Sequence, residues 1–191
     1  MADAITTVAV ADTSLLVVID LQQKLLAAMP QQAVQQGLRQ SRLLLTAAEQ
    51  LAIPVVITEQ YPKGLGNTEP SLLQCAPDVT PIAKTAFSAW QDLNCQKAIT
   101  AAGRQQVILL GLETHICVLQ TALAIQKQGY EVQVVTDAVL SRQETHKQQA
   151  LSRLQAAGIV ISNSESVLFE WLSDATHPAF KALSSLLLTA R

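Results

Sequence analysis

The sequence carries few charged side chains. Thirteen lysines and arginines stand against fifteen acidic residues, so charged residues are 15% of the 191 and the formal net charge is −2. Surfaces that bind nucleic acid or anionic membranes usually show a basic excess, so neither partner is expected. Two explanations of the low charge stay open: a homo-oligomeric interface, or uncharged glutamines that replace charges at the surface. The glutamines concerned are Gln22, Gln23, Gln31, Gln32, Gln35 and Gln36.

Long hydrophobic runs and closely spaced cysteines are also missing. The apolar run that begins at Ser14 stops at Asp20, far short of the roughly 18 residues that cross a bilayer. The first twelve residues include acids and no basic residue, which argues against a secretory signal and predicts a cytoplasmic protein. Cys75, Cys95 and Cys117 include no C-x-x-C pair, so neither a disulfide framework nor a zinc site is indicated.

The glycine-based cofactor motifs are absent. The DLQQK turn after the run at residues 15–19 has no glycine, so NAD and FAD are not expected. A phosphate-binding P-loop and a G-x-S-x-G serine elbow are missing too. His115, His146 and His177 are scattered along the sequence, which gives no obvious metal cluster. We therefore expect no cofactor and no metal, and a cysteine is the plausible nucleophile.

Short apolar runs alternate with longer segments of helical spacing. The runs are rich in Val and Ile and predict buried strands at residues 15–19, 54–57, 107–110, 132–135 and 159–161. Helices are predicted over residues 33–51, 94–102, 116–128 and 145–157. Gly103, Gly129 and Gly158 follow three of these helices, where a left-handed cap favours glycine.

This alternation predicts an α/β fold. We expect a single domain over residues 1–191, doubly wound, with a mostly parallel sheet of about six strands and helices on both faces. Residues 58–71 contain two prolines and two glycines and interrupt the pattern. They are predicted to form an irregular binding loop.

Three chemically useful side chains follow predicted strands. Asp20 ends LLVVID, Lys84 follows PIA, and Cys117 follows VILLGL where a helix is predicted to begin. In an open parallel sheet the carboxyl ends of the strands share one crevice. A helix N-terminus and a nearby cation lower the pKa of a thiol, and a carboxylate can accept its proton. Taken singly, each residue also has a structural explanation: a buried apolar cysteine, a helix-capping aspartate and a solvated lysine.

Four phrases carry a family resemblance. LLVVIDLQQ, TEQYPKGLG, IAKTAFSAW and GLETHICVLQTALAIQKQGYEVQVVTDAV, in this order and spacing, resemble the isochorismatase-like cysteine hydrolases over most of the chain. The resemblance is to the compact, metal-free members, because TEQYPKGLGN lacks the aspartate and histidines with which nicotinamidases of this family bind a metal. It implies a catalytic triad of Asp20, Lys84 and Cys117. It also implies a cis peptide bond between Leu112 and Glu113, and an oxyanion hole made by the N–H groups of Glu113 and Cys117.

Five further residues are candidates for the substrate pocket. Gln60, Tyr61, Phe87 and Trp90 would supply an amide and aromatic walls, although core packing is an equal explanation for Phe87 and Trp90. His115 precedes Cys117 by two residues and would line the same pocket. Its alternative role is a loop histidine hydrogen-bonded to the backbone.

The resemblance implies hydrolysis of a small amide, carbamoyl or related ester through an acyl-thioester intermediate. Asp20 would deprotonate Cys117 and later activate water, while Lys84 would stabilise charge. The expected partners are a small-molecule substrate and further copies of the chain. Two alternatives stay open: a non-catalytic oligomeric module that binds a small molecule, and a thiol redox sensor.

Overall fold

The computed structural model describes residues 8–189. Residues 1–7 and 190–191, the two ends of the domain predicted over the whole chain, lie outside the described residues. The described part contains one sheet of six strands in the order β3-β2-β1-β4-β5-β6, and every neighbouring pair is parallel. The strands are β1 (Ser14–Ile19), β2 (Val55–Gln60), β3 (Ile82–Lys84), β4 (Gln106–Leu112), β5 (Glu131–Leu140) and β6 (Val160–Ser162).

Helices cover both faces of this sheet, which confirms the predicted doubly wound fold. They are α1 (Gln23–Leu26), α2 (Gln31–Gln50), α3 (Pro62–Leu65), α4 (Pro70–Leu73), α5 (Leu93–Ala101), α6 (Leu119–Gln126), α7 (Glu144–Ala156), α8 (Ser164–Leu172) and α9 (Phe180–Thr189). A π-helical turn, Thr114–Val118, joins β4 to α6. Within residues 8–189, no helix combines the length and apolarity needed to cross a bilayer.

Strand β1 shows how the two faces are built. All six of its residues are buried. Leu16 and Val18 belong to a core that contains residues of α2, α8 and α9. Leu15, Val17 and Ile19 belong to a second core, with residues of α5, α6 and α7. Successive side chains of a strand point to opposite faces, so a continuous apolar run is what a sheet covered on both sides requires.

Two predicted segments differ from the structure by more than the one or two residues seen at most other element ends. β5 continues to Leu140, five residues beyond its prediction, because an irregularity in its pairing with β4 accommodates the polar residues Thr136 and Asp137 that end the apolar run. The stretch over residues 58–71 is not irregular throughout. Its first residues extend β2 and pair with β3, and two prolines start the short helices α3 and α4, a position that proline favours.

Gly111 permits the closest backbone approach beside the predicted site. It pairs with Ile19 in the β1–β4 ladder and has a φ of 122°. A Cβ atom at this position would lie 2.0 Å from the carbonyl oxygen of Ile19. Since Asp20 follows Ile19, and Glu113 lies two residues after Gly111, this contact brings the ends of β1 and β4 together.

Gly111→Ala is therefore expected to destabilise the protein by about 3 to 5 kcal/mol, because backbone atoms must move and the φ is unfavourable for alanine. Gly103→Ala is the matched control, since Gly103 also has a positive φ, of 62°, but a Cβ there meets nothing within 4 Å. Its cost should be about 1 kcal/mol. Urea unfolding at equilibrium measures both; equal costs would contradict the role given to the Gly111 contact.

Candidate active site

The three side chains expected in the crevice converge at the carboxyl edge of the sheet. Asp20 follows β1, Lys84 ends β3, and Cys117 lies in the π-helical turn after β4. All three are buried. Because β2 lies between β1 and β3, the Asp20 and Lys84 side chains meet across the end of β2.

Asp20 and Lys84 form a buried ion pair. Lys84 Nζ lies 2.7 Å from Oδ2 of Asp20, and both side chains are fully inaccessible to solvent. The other carboxylate oxygen, Oδ1, accepts a hydrogen bond of 2.7 Å from the hydroxyl of Thr58. Asp20 itself has a φ of 51°, a left-handed conformation that aspartate tolerates better than most residues.

The ammonium group of Lys84 has further acceptors within the protein. Its Nζ lies 2.7 Å from Oε1 of Gln60, and 3.2 and 3.3 Å from the carbonyl oxygens of Ala86 and Phe87. An ammonium group has only three hydrogens to donate. The surrounding protein can therefore occupy all of them, and Lys84 acts on the site by holding the Asp20 carboxylate.

The Cys117 thiol is near enough to Asp20 for the carboxylate to act on it, and its pKa moves in the direction opposite to our expectation. Burial is the largest of the causes that raise the pKa of Cys117 to about 12; the Asp20 charge acts in the same direction, and the Lys84 charge opposes them. The helical segment that carries the thiol begins two residues before its predicted start, as the π-helical turn from Thr114 that continues into α6. Desolvation of the thiolate thus outweighs the nearby cation, and the resting thiol is protonated at neutral pH.

The turn that carries Cys117 is organised around the carbonyl of Glu113. The N–H groups of Ile116 and Val118, on either side of Cys117, both donate to the Glu113 oxygen, at 3.0 and 3.3 Å. The Leu112–Glu113 peptide bond is cis, as the family resemblance implied.

Three successive residues at the start of this turn are tied to three successive residues at the end of β5. Each link is a hydrogen bond made by the side chain of one of the three turn residues. They are Glu113 Oε2 with the N–H and Nε of Arg142 (3.1 and 3.2 Å), Thr114 Oγ1 with the Leu140 oxygen (2.9 Å), and His115 Nδ1 with Ser141 Oγ (2.9 Å). The turn that carries Cys117 is therefore fixed to the neighbouring strand end.

His115 is paired with a second histidine. Its ring centroid lies 4.9 Å from that of His146, although the two residues are far apart in the sequence. Burial lowers the pKa of His115; the charge of Glu113 opposes this shift, whereas His146 and Arg142 add to it. A neutral imidazole therefore lies in the turn that carries Cys117. Across residues 8–189, His, Cys, Asp and Glu side chains form no group of three that could hold a metal ion.

The other candidate pocket residues differ in exposure. Tyr61 and Phe87 are each 54% exposed, and Tyr61 and Lys84 line an open cavity of about 310 Å³. Trp90 instead packs on the core and meets the ring of Tyr130 edge-on at 5.9 Å, as the packing alternative for this residue predicted.

Gln60 has both ends of its carboxamide engaged. Oε1 accepts from Lys84, and Nε2 donates to the Thr85 oxygen at 2.7 Å. Its predicted contact with substrate stays a prediction, but in this arrangement the amide supports the ion pair.

Two polar residues of the site escaped the sequence analysis. Thr58 holds Asp20, and Gln22, which we counted among surface glutamines, is fully buried. The Gln22 carboxamide binds the backbone of Gln60 twice, donating to its oxygen at 3.0 Å and accepting from its N–H at 2.7 Å. Only sequence spacing could have pointed to these two residues as part of the site. Gln22 is two residues after Asp20, and Thr58 is two residues before Gln60, on the same face of a strand.

Comparison with known families agrees with this geometry. The isochorismatase domain model matches residues 14–166. The chain belongs to the isochorismatase family. Members of this family are generally hydrolases, and the matched region contains Asp20, Lys84 and Cys117.

Relatives and solved structures extend the family match. Isochorismatase domain-containing protein 2 of Bos taurus is 42% identical over 147 residues, covering 75% of this chain and 69% of that protein. The MAR1 ribonuclease structure from Caenorhabditis elegans superposes with a TM-score of 0.88 and 36% identity, over 95% of this chain and 93% of that one. The YcaC structure from Escherichia coli, described as an octameric hydrolase of unknown specificity, gives a TM-score of 0.80 and 25% identity, over 95% and 97%.

Because the ion pair is buried, replacing only its lysine should cost more stability than replacing both of its charged residues. Lys84→Met should destabilise the fold by about 3 to 5 kcal/mol, because it leaves the Asp20 carboxylate buried without its counter-ion. Adding Asp20→Asn should recover part of that loss. Chemical unfolding at pH 7 measures each free energy. Lys24→Met is the control, since exposed Lys24 makes only a surface contact with the Gly64 oxygen; a double variant no more stable than Lys84→Met would contradict the pairing energy.

Proposed function

We propose that this protein is a cysteine hydrolase that cleaves a small amide, carbamoyl or related ester substrate through an acyl-thioester intermediate. The observation that carries the proposal is the placement of the buried Cys117 thiol beside a buried ion pair whose two charges both act on it. A thiol, a carboxylate and an ammonium group grouped at one end of the sheet provide a nucleophile, a base and a counter-charge. Neither simple binding nor packing requires all three.

Asp20 acts as the general base in this proposal. A thiol whose pKa is about 12 does not ionise appreciably at pH 7, so its proton must leave as the sulfur attacks. The proton passes from Sγ to the Asp20 carboxylate while the sulfur–carbon bond forms and the carbonyl electron pair moves to oxygen. Asp20 then gives that proton to the departing nitrogen or oxygen. It takes a second proton from the water that cleaves the thioester and returns it to the departing sulfur of Cys117.

The oxyanion is assigned to the backbone of the turn that carries Cys117, Thr114–Val118, and of the residue before it. The N–H groups of Glu113 and Cys117 are the proposed donors. The arrangement supports this because the flanking N–H groups of Ile116 and Val118 turn inward to the Glu113 carbonyl, and the ties to residues 140–142 hold the turn in place. One such donor typically contributes a factor of about 10² to 10³ in kcat.

Tyr61, Phe87 and His115 remain the proposed substrate contacts. The two aromatic side chains are exposed beside the ion pair, where they can shield a bound acyl group from water. The neutral imidazole of His115 is placed to bind a polar substituent. Trp90 and Gln60 have structural partners already and are assigned supporting roles.

The name of the Caenorhabditis elegans neighbour raises RNA hydrolysis as a competing activity. The charge of this chain opposes it, because thirteen basic against fifteen acidic residues give little attraction for a polyphosphate. RNA therefore belongs in the substrate screen as the competing substrate.

We expect the Cys117→Ala variant to lose at least about 10³-fold in kcat/KM for the best substrate found by screening small amides, carbamates and esters for acid or ammonia release. Cys75→Ala is the control and should retain full activity, because Cys75 lies apart from the ion pair on α4's C-terminal side. Intact-protein mass spectrometry should detect the acyl adduct on wild type alone.

Other outcomes separate the alternatives. Saturable binding without turnover or adduct would support a binding module. A reversible oxidation of Cys117 by mild peroxide, without hydrolysis, would support a redox sensor. RNA cleavage that survives Cys117→Ala would favour the ribonuclease activity.

We also propose that the chain assembles with copies of itself in the cytoplasm. Tyr61, Phe87 and Leu93 are large apolar side chains left 54%, 54% and 69% exposed, and they lie near β3, an edge strand. The octameric neighbour from Escherichia coli supports an assembly, and the three unpaired cysteines suit a reducing compartment.

Light scattering on a sizing column should therefore give a mass of at least two chains at micromolar concentration. Leu93→Asp should reduce that mass, because it places a charge in the apolar contact. Val10→Asp is the control: Val10 is also exposed but lies just before β1, at the amino-terminal end of a central strand and not beside β3. A wild-type monomer would reject the assembly, and an equal effect of both variants would reject its location.

A further inference from the structure

Thr58 contacts the Asp20–Lys84 pair from the strand that lies between its two members. Its Oγ1 donates to Oδ1 of Asp20 at 2.7 Å, while Lys84 contacts the other oxygen, Oδ2, at the same distance. Thr58 is fully buried, so water does not compete for its hydroxyl. The two donors hold the carboxylate from both sides.

The backbone reinforces this contact. Thr58 is paired with Ile19 in the β1–β2 ladder, and its carbonyl accepts the N–H of Asp20 at 3.1 Å. Asp20 is thus bound to Thr58 through both its main chain and its side chain. Rotation of the carboxylate about its own axis would break either the Thr58 or the Lys84 hydrogen bond.

The alternation along β2 explains why a threonine can do this. Thr58 and Gln60 point to one face, where they contact Asp20 and Lys84 respectively. Glu59 points to the other face and accepts the N–H and hydroxyl of Thr68. The strand therefore supplies a donor to the acid and an acceptor to the amine, while its own carboxylate is kept away from both.

We propose that Thr58 is a positioning residue for the proton transfer between Cys117 and Asp20. Its hydroxyl holds the carboxylate in an orientation that directs it at the thiol. In that step the thiol proton moves to the carboxylate as the sulfur–carbon bond forms, and the Thr58 hydroxyl keeps its own proton throughout. The inference rests on the proposed function and assigns one more residue to the same site.

The sign of the expected effect follows from the hydrogen bond. A neutral donor stabilises a carboxylate over its protonated form, so loss of the hydroxyl makes protonation of the carboxylate easier. Attack by the protonated thiol needs a carboxylate that can accept its proton, so the alkylation rate falls at low pH as that acceptor is lost. The acid limb is the part of the rate–pH profile in which alkylation of Cys117 slows as the pH is lowered. Loss of the hydroxyl should therefore move this limb to higher pH, by about one unit for one hydrogen bond to a charged group.

The experiment follows alkylation of wild-type and variant proteins by iodoacetamide between pH 4 and 9. Peptide mass spectrometry reads Cys117 separately from the half-buried Cys75, and no substrate needs to be known. In Thr58→Val the acid limb should move up by about one pH unit, and Thr58→Ser, which keeps the hydroxyl, should restore the wild-type limb. Thr58→Ala provides a second hydroxyl-free variant that adds no new methyl contact.

Thr136→Val is the matched control. Thr136 also lies in a strand and donates its hydroxyl, but to the Ser162 oxygen at the far edge of the sheet, so it should alter stability without moving the limb. Thermal unfolding establishes that each variant is folded at the pH values used. Two results would overturn this inference alone. In the first, Thr58→Val and Thr58→Ala leave the acid limb at its wild-type pH. In the second, Thr58→Ser displaces the acid limb as far as they do. A wild-type profile with no acid limb would overturn it together with the proposed function.

Discussion

The burial of two opposite charges at one end of the sheet constrains the surrounding residues more than any other feature of this protein. Removing a carboxylate and an ammonium group from water costs several kcal/mol for each ion, and their attraction offsets that cost only if the remaining polar atoms are also satisfied. Here Thr58 and Lys84 each donate a hydrogen bond to one oxygen of the Asp20 carboxylate. Gln60 and two backbone carbonyls accept hydrogen bonds from the Lys84 ammonium group. Gln22 in turn fixes Gln60 through its backbone. Each polar residue in this network follows from the need to satisfy the one before it.

The strand order makes this network possible. With β2 between β3 and β1, a lysine and an aspartate at the two outer strand ends meet over the middle one, so the middle strand must contribute short or uncharged polar side chains. Threonine and glutamine meet that requirement, and the acidic side chain of Glu59 falls on the opposite face because a strand alternates. On the other side of β1, the lack of a side chain at Gly111 lets β4 approach closely, so the turn that carries Cys117 lies near the same carboxylate.

How far the sequence predicts this arrangement depends on how local the signal is. Continuous apolar runs such as β1 predict a doubly covered parallel sheet, and residues at strand ends predict the Asp20, Lys84 and Cys117 cluster. Thr58 and Gln22 could not be identified, because a threonine in a strand and a glutamine after a turn are ordinary in a single sequence, and only tertiary contacts give them a role. The end of β5 was missed for a related reason: two polar residues resemble a strand end, whereas the pairing irregularity with β4 accommodates them. Sequence predicts the charged residues of this site better than the neutral ones that satisfy them.

The direction of the thiol pKa is the point at which the chemical expectation and the structure diverge most. Proximity to a lysine suggests a thiolate, yet that lysine is already bound to a carboxylate, so the pair presents little net positive charge to the sulfur. Desolvation then dominates and the thiol stays protonated. Peroxides react with the thiolate, so a protonated, buried sulfur is a poor target for them. In the proposed mechanism the sulfur becomes nucleophilic when an electrophile is close enough for attack and proton transfer to Asp20 to occur together, which is the behaviour of a hydrolase nucleophile rather than of a redox sensor.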